Sequence, residues 1–190
     1  HWQRLQRGMD ILGFPACLSR VRRQLEQVEE ACRRAGPGRR ALRITVTRGS
    51  GPRGYAPPKD PQPRIVISAA PPESETLEMA APASLCLAGI RWSRQPHLAG
   101  LKHLNRLEQV MAAAEAARAG SDEALMLDQG DEVLSVAAGN IFLVNGGQLL
   151  TPSLDQCGIA GTRRRLIMER WAPAIGLKVV EQRLDLTRLQ

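Results

Sequence analysis

Leu98-Ala99-Gly100-Leu101-Lys102-His103-Leu104-Asn105-Arg106-Leu107-Glu108-Gln109-Val110 is the stretch on which the reading of this chain turns. Lys102 is its centre. The chain meets its need for cations almost wholly with arginine: among 26 basic residues only Lys59, Lys102 and Lys178 are lysines, and the other 23 are arginines. Lys59 sits in a proline-rich loop and Lys178 opens a late strand. Lys102 instead stands where a glycine-containing turn runs into a predicted apolar helix, with Leu101, Leu104, Leu107 and Met111 at helical spacing. An amine held against apolar surface loses its proton more readily, because burial disfavours the charged form. A neutral amine can form a Schiff base or relay protons, and arginine can do neither. A plainer reading stays open, in which the stem covers apolar surface while the ammonium reaches water.

Toward the C-terminus, the helix is predicted from Leu104 to Ala119, with Gly120 as its stop. Short strands follow over Ala124–Asp128, Val133–Ala137, Asn140–Val144 and Gln148–Thr151, joined by tight turns such as Asn145-Gly146-Gly147. The run Leu154-Asp155-Gln156-Cys157-Gly158-Ile159-Ala160-Gly161-Thr162-Arg163 then leads into a predicted helix over Thr162–Trp171. A helix start offers free N–H groups and the positive end of a dipole, which suits a phosphate. An ordinary helix start beside solvated arginines would read the same way. Lys178–Gln182 is the last predicted strand.

Toward the N-terminus, Leu5, Met9 and Leu12 mark a helix that Gly13-Phe14-Pro15 ends. Ser19–Ala35 is a second helix, with Val21, Leu25, Val28 and Cys32 on one face, broken by Gly36-Pro37-Gly38. Ala41–Thr47 alternates as a strand. The loop Arg48-Gly49-Ser50-Gly51-Pro52-Arg53-Gly54-Tyr55 is rich in glycine, but no Gly-Lys-Ser/Thr and no following helix make it a nucleotide phosphate cradle. Beyond it come a proline-rich connector over Pro57–Pro63, a strand over Arg64–Ala69, a polar loop over Pro71–Pro82 and a buried strand over Leu85–Ile90. Residues 91–97 lead into the Lys102 stretch.

The segment from Gly100 to Glu108 resembles the catalytic-lysine segment of 4-amino-4-deoxychorismate lyases, pyridoxal-phosphate enzymes of fold type IV related to D-amino-acid and branched-chain aminotransferases. The resemblance extends over nearly the whole chain. His1-Trp2-Gln3-Arg4-Leu5 is similar to a motif of that family in which the arginine binds the cofactor phosphate, here Arg4. The loop from Arg48 to Tyr55 is similar to one that holds a substrate carboxylate, which points to Arg53 and Tyr55. The resemblance further implies that Lys102 binds the cofactor and later shuttles protons, and that Gly161, Thr162 and Arg163 bind its phosphate. Most of these enzymes carry a glutamate facing the pyridine nitrogen, ahead of an Asn-apolar-Phe run. Asn140-Ile141-Phe142 fits that run, and the acidic position falls on Ser135. Glu132 is not expected to replace it, since residues three apart on a regular strand point to opposite faces. Asp131 belongs to the turn.

The fold expected is therefore α/β, of the fold-type-IV, D-amino-acid aminotransferase-like kind. It would comprise a small α/β subdomain over residues 1–91, a linker over 92–97 and a larger, barrel-like cofactor-binding subdomain over 98–190. In the family a strand-rich segment precedes the Arg4 motif, and a strand with a second phosphate-binding turn follows the equivalent of Gln190. The chain starts at His1 without methionine, so it reads as truncated at both ends relative to the family and is expected to bind cofactor poorly by itself. The resemblance implies a homodimer that cleaves 4-amino-4-deoxychorismate to 4-aminobenzoate and pyruvate in folate biosynthesis. The alternatives are an aminotransferase of D- or branched-chain amino acids, or an inactive relative.

Composition narrows the rest. A net charge of +7 permits nucleic-acid binding. The arginines are scattered, however, and aromatic residues make up only 3% of the chain, too few to interleave as a base-stacking groove. No nucleic-acid partner is expected. No apolar run is long enough for a membrane span, and no signal peptide opens the sequence. Cys17, Cys32, Cys86 and Cys157 form neither a CxxC pair nor a metal-finger spacing, so no metal is expected and the thiols read as free, in a cytoplasmic setting.

Overall fold

The computed structural model describes residues 1–72 and 81–189. The chain divides into two compact units, Trp2–Ala80 and Ala81–Gln190, the second also taking His1. The polar loop expected over Pro71–Pro82 lies for the most part outside the described residues.

In the first unit, helix α1 spans Trp2–Ile11 and α2 spans Leu18–Arg34. Gly13, at φ +66°, is what stops α1. Its left-handed backbone lets Phe14 N–H reach Met9 O at 2.9 Å and Gly13 N–H reach Asp10 O at 3.1 Å, a paired closure that favours glycine. Strands β1 (Ala41–Thr47) and β2 (Arg64–Ala70) form an antiparallel pair in register from Ala41↔Ala70 to Thr47↔Arg64. Met9, Cys17 and Val21 are the buried core, with Leu5, Phe14, Ile44, Val46 and Ile65 packed on it. Alternation along β1 thus supplies the helices with one apolar face of the hairpin.

The second unit holds two three-stranded sheets. In the first, β3 (Leu85–Leu87) runs parallel to β4 (Glu123–Leu127), which pairs antiparallel with β5 (Val133–Val136). In the second, β6 (Leu143–Asn145) and β7 (Gln148–Pro152) form a hairpin, and β8 (Lys178–Gln182) joins β7 in parallel. A bridge between Val133 and Leu184 ties the strand region of one sheet to the chain leaving the other. Strand β4 is buried on both faces: Ala124 and Met126 enter one core cluster, Leu125 and Leu127 the other. That is why its sequence is a continuous apolar run rather than an alternating one.

Residues 92–97, read as a linker, lie inside this unit. Trp92 bridges Asp128 in parallel, with Trp92 N–H donating to Leu127 O at 2.9 Å and Gln129 N–H donating to Trp92 O at 3.2 Å. Helix α3 covers Leu107–Ala119 and is closed by Gly120 at φ +66°. It begins three residues later than expected, and its buried positions are Gln109, Ala112 and Ala116. Small side chains let the helix lie close against the β3–β4 sheet, where the larger ones would not fit. Leu104, Leu107, Val110 and Met111 are consequently more than half exposed. The short helix α4 (Thr162–Leu166) continues through a π-helical turn, Ile167–Trp171, into Ala172–Ala174.

Candidate active site

Lys102 lies in an extended segment ahead of α3, not on the helix, and is exposed. The apolar helical face expected beside its amine does not form. Leu101 alone of that set is buried, at 3% exposure, and it anchors the segment to the core. Two further contacts fix the segment. Gly100 pairs in parallel with Ile159: its N–H donates to Gly158 O at 3.0 Å, and Ala160 N–H donates to Gly100 O at 3.0 Å. On the other side, Arg106 donates from Nη2 to Leu101 O at 2.8 Å and from Nε to His103 O at 3.0 Å.

The segment that pairs with Gly100 leads directly to Gly161, the N-cap of α4. Asn140 Nδ2 donates to Ile159 O at 2.9 Å and holds this segment from the opposite side. Gly161 has φ −65° and ψ 143°, a conformation any residue adopts. Its requirement for glycine is steric, since an added Cβ would sit 2.1 Å from Asn140 Oδ1. The amides of Thr162, Arg163 and Arg164 head the helix, where no carbonyl lies one turn behind to receive them. Arg163 is exposed, whereas Arg164 is buried. Arg164 Nη2 bonds Pro152 O at 2.9 Å and pairs with Glu181 at 3.2 Å, which ties the helix start to β7 and β8.

Ser135 is buried on β5, and its Oγ accepts a hydrogen bond from Trp92 Nε1 at 3.2 Å. With the oxygen engaged as acceptor, the hydroxyl proton is available to a further acceptor. Strand parity, which would turn Glu132 away from the Ser135 face, presumes a regular strand, and β5 is not regular. The register shifts between Met126↔Ser135 and Leu127↔Val133, so β5 carries an extra residue and parity does not hold across it. Ion pairing decides the matter instead. Glu132 pairs with Arg94 at 3.3 Å and with Arg183 at 2.9 Å, and Asp131 pairs with Arg91 at 3.0 Å. Asp128 is the buried hub of this group, accepting from Arg94 Nε, Gly130 N–H and Glu132 N–H at 2.8, 2.8 and 3.1 Å. Burial pushes its carboxyl up, and these hydrogen bonds with the Arg94 charge more than offset it, leaving it below the usual carboxylate range.

A cavity of about 550 Å³ opens beside Lys102, lined by Trp92, Leu98, His103, Arg106, Leu107 and Cys157 among others. Neighbours of Lys102 line it, not Lys102 itself. Burial, and then the Arg106 charge, lowers the His103 pKa. Burial drives the Cys157 thiol up to about 12, so it is an inert thiol near neutral pH.

In the first unit, Arg4 is half-buried on α1, and burial lowers its pKa. Arg53 and Tyr55 lie in an exposed loop, Tyr55 fully so. Gly49 shapes that loop: it has φ +89°, and a Cβ there would meet Gln62 O at 2.1 Å. Lys102, Ser135, Gly161, Thr162 and Arg163 thus share the second unit, while Arg4, Arg53 and Tyr55 belong to the first. Sequence alone does not single out Trp92, Arg106 or Arg164. Nothing distinguishes Arg106 or Arg164 among 23 arginines until their carbonyl partners are seen.

Comparison with known proteins follows the same lines. A family model described as amino-transferase class IV matches residues 1–190. The aminodeoxychorismate lyase of Vibrio harveyi is 34% identical over 129 residues, 67% of this chain and 48% of that protein. The crystal structure of 4-amino-4-deoxychorismate lyase from Pseudomonas aeruginosa superposes with a TM-score of 0.83 at 38% identity, covering 100% of this chain and 68% of that one. The branched-chain aminotransferase of the archaeon Thermoproteus uzoniensis, solved with norvaline, gives a TM-score of 0.81 at 26% identity, covering 100% and 63%. The chain spans about half the length of the curated relatives it matches.

Proposed function

We propose, for a chain that belongs to the class IV amino-transferase family, that Lys102 binds pyridoxal 5′-phosphate covalently, in an enzyme that cleaves 4-amino-4-deoxychorismate to 4-aminobenzoate and pyruvate on the route to folate. One observation carries the reading. The Gly100–Ile159 bridge fastens the Lys102 segment to the segment that runs into the α4 start, so the lysine and the helix start are held by paired backbone. The residues present fit a phosphate-bearing group: the amides of Thr162, Arg163 and Arg164 open α4 with no acceptor among the described residues, beside the exposed Arg163 side chain.

The cofactor, when bound, supplies the electron sink for charge that develops at a substrate carbon. The chain supplies the rest. Gly161, Thr162 and Arg163 hold the phosphate, mainly through backbone N–H groups. Ser135 offers an uncharged hydroxyl to the ring nitrogen. Lys102 takes the proton from the amine-bearing carbon of the substrate. The enolpyruvate oxygen then leaves from the neighbouring carbon, and the ring becomes aromatic. Arg4 as a phosphate ligand, and Arg53 and Tyr55 as carboxylate contacts, rest on the resemblance of their motifs. A homodimer belongs to the same proposal, supported by the exposed apolar face of Leu104, Leu107, Val110 and Met111.

Incubation with pyridoxal 5′-phosphate, borohydride reduction and peptide mapping should place the label on Lys102. Label on Lys59 or Lys178 instead would sink the assignment. The likeness to the Thermoproteus uzoniensis aminotransferase supports a second reading, amino-group exchange with a keto acid. Pyruvate release from aminodeoxychorismate, measured beside keto-acid exchange on branched-chain and D-amino acids, separates the two.

A further inference from the structure

We infer that Arg106 is a positioning residue for Lys102, holding the carbonyls of the residues on either side of it and linking that segment to Ser135 through Trp92. The inference rests on the reading of Lys102 given above. Arg106 is an unexpected residue where it stands. It is the N-cap of α3, a position that favours Ser, Thr, Asp or Asn, and its side chain makes no capping bond. A cation there faces the positive end of the helix dipole. Burial lowers its pKa, partly countered by Glu108, and its buried Nη1 has no hydrogen-bond partner among the described residues. Each of these features works against the folded state.

What the guanidinium does there is specific. Its Nη2 reaches Leu101 O at 2.8 Å and its Nε reaches His103 O at 3.0 Å, the carbonyls of the residues on either side of Lys102. A planar fork of donors can span two carbonyls in this way, whereas an ammonium on a flexible stem cannot hold both in one plane. The same group lies over the Trp92 ring, 5.5 Å from its centroid. Trp92 is buried, and its Nε1 donates to Ser135 Oγ at 3.2 Å. One side chain therefore holds the backbone of both neighbours of Lys102 on one side and, through Trp92, reaches the Ser135 hydroxyl on the other.

Arg106→Lys keeps the charge and loses the fork; Arg106→Met loses both. In the protein incubated with pyridoxal 5′-phosphate and reduced with borohydride, both variants should cut the label on Lys102 by tenfold or more. Lys59 and Lys178 act as internal references, and peptide mapping separates any label on the new lysine. In turnover both variants should lower kcat by about ten- to a hundredfold with little change in KM, the size expected for a misplacement of about 1 Å. A purely structural role would lower the melting temperature and leave the label ratio and the kcat-to-KM split alone. Wild-type label without preference for Lys102 would overturn the lysine reading and this inference with it. Label on Lys102 in wild type and Arg106→Lys to the same extent, at equal kcat, would overturn the role of Arg106 alone.

Discussion

Gly161→Ala isolates the close approach on which the α4 start depends. The backbone at Gly161, φ −65° and ψ 143°, accepts alanine without strain. Fewer unfolded states would even favour alanine by about 0.4–1 kcal/mol. The added Cβ, however, would lie 2.1 Å from Asn140 Oδ1, while its other neighbour, Arg164 Cβ, is at an ordinary 3.7 Å. Asn140 must withdraw by more than an ångström, and its 2.9 Å bond to Ile159 O cannot survive the move. Losing that bond and leaving a carbonyl short of a partner costs about 1–3 kcal/mol. Asn140→Ala removes the same bond and also the obstacle, so in that background Gly161→Ala should be neutral or slightly stabilising. Denaturant unfolding of the wild type, both single variants and the double variant should therefore show a coupling of about 2 kcal/mol. Pyridoxal 5′-phosphate affinity, read by titration, should fall in Gly161→Ala and recover partly in the double variant. Costs that add to within about 0.5 kcal/mol would refute the steric argument.

Asp128→Asn should destabilise the protein by about 2–3 kcal/mol at neutral pH, because three donors face a buried carboxylate and Arg94 retains only Glu132. The Asp128 pKa is depressed by folding, so its stabilisation is complete above the unfolded carboxyl value and is lost as pH falls through the folded one. Unfolding free energy measured from pH 7 downward should accordingly fall less steeply in Asp128→Asn, and parallel curves would count against the hub. Ser135→Glu should raise transamination relative to pyruvate release, since a carboxylate at the ring nitrogen favours its protonated form and a stronger electron sink. A product ratio that is unchanged or lower would show that Ser135 does not tune that nitrogen.

Local signals are enough to read most elements. The glycine that closes α1 and the one that closes α3 can be named from sequence because a left-handed C-terminal residue is a local demand, met by Gly13 and Gly120 whatever surrounds them. Strand β4 is legible as an unbroken apolar run, and the Asn145-Gly146-Gly147 turn as a hairpin. The start of α3 is not legible in the same way. Leucine at 104 and 107 continues a helical period, yet period alone does not say which face is buried. The structure buries Ala112 and Ala116 and exposes Leu104 and Leu107.

Residue type and order alone name the candidate site: a rare lysine in a particular run, a glycine ahead of a predicted helix start and, by family resemblance, a serine at a position expected to be acidic. These are properties of residue type and order, and they survive without coordinates. What restrains these residues becomes visible in the folded chain. The pairing of Gly100 with Ile159 joins residues 59 apart in the chain, and the Trp92–Ser135 bond joins residues 43 apart. The bulge that undoes strand parity at Ser135 is a matter of cross-strand register. The Arg106 fork is defined by two carbonyls, and every residue carries a carbonyl. Backbone acceptors are invisible in a sequence because they are the same at every position; only folding gives them an address.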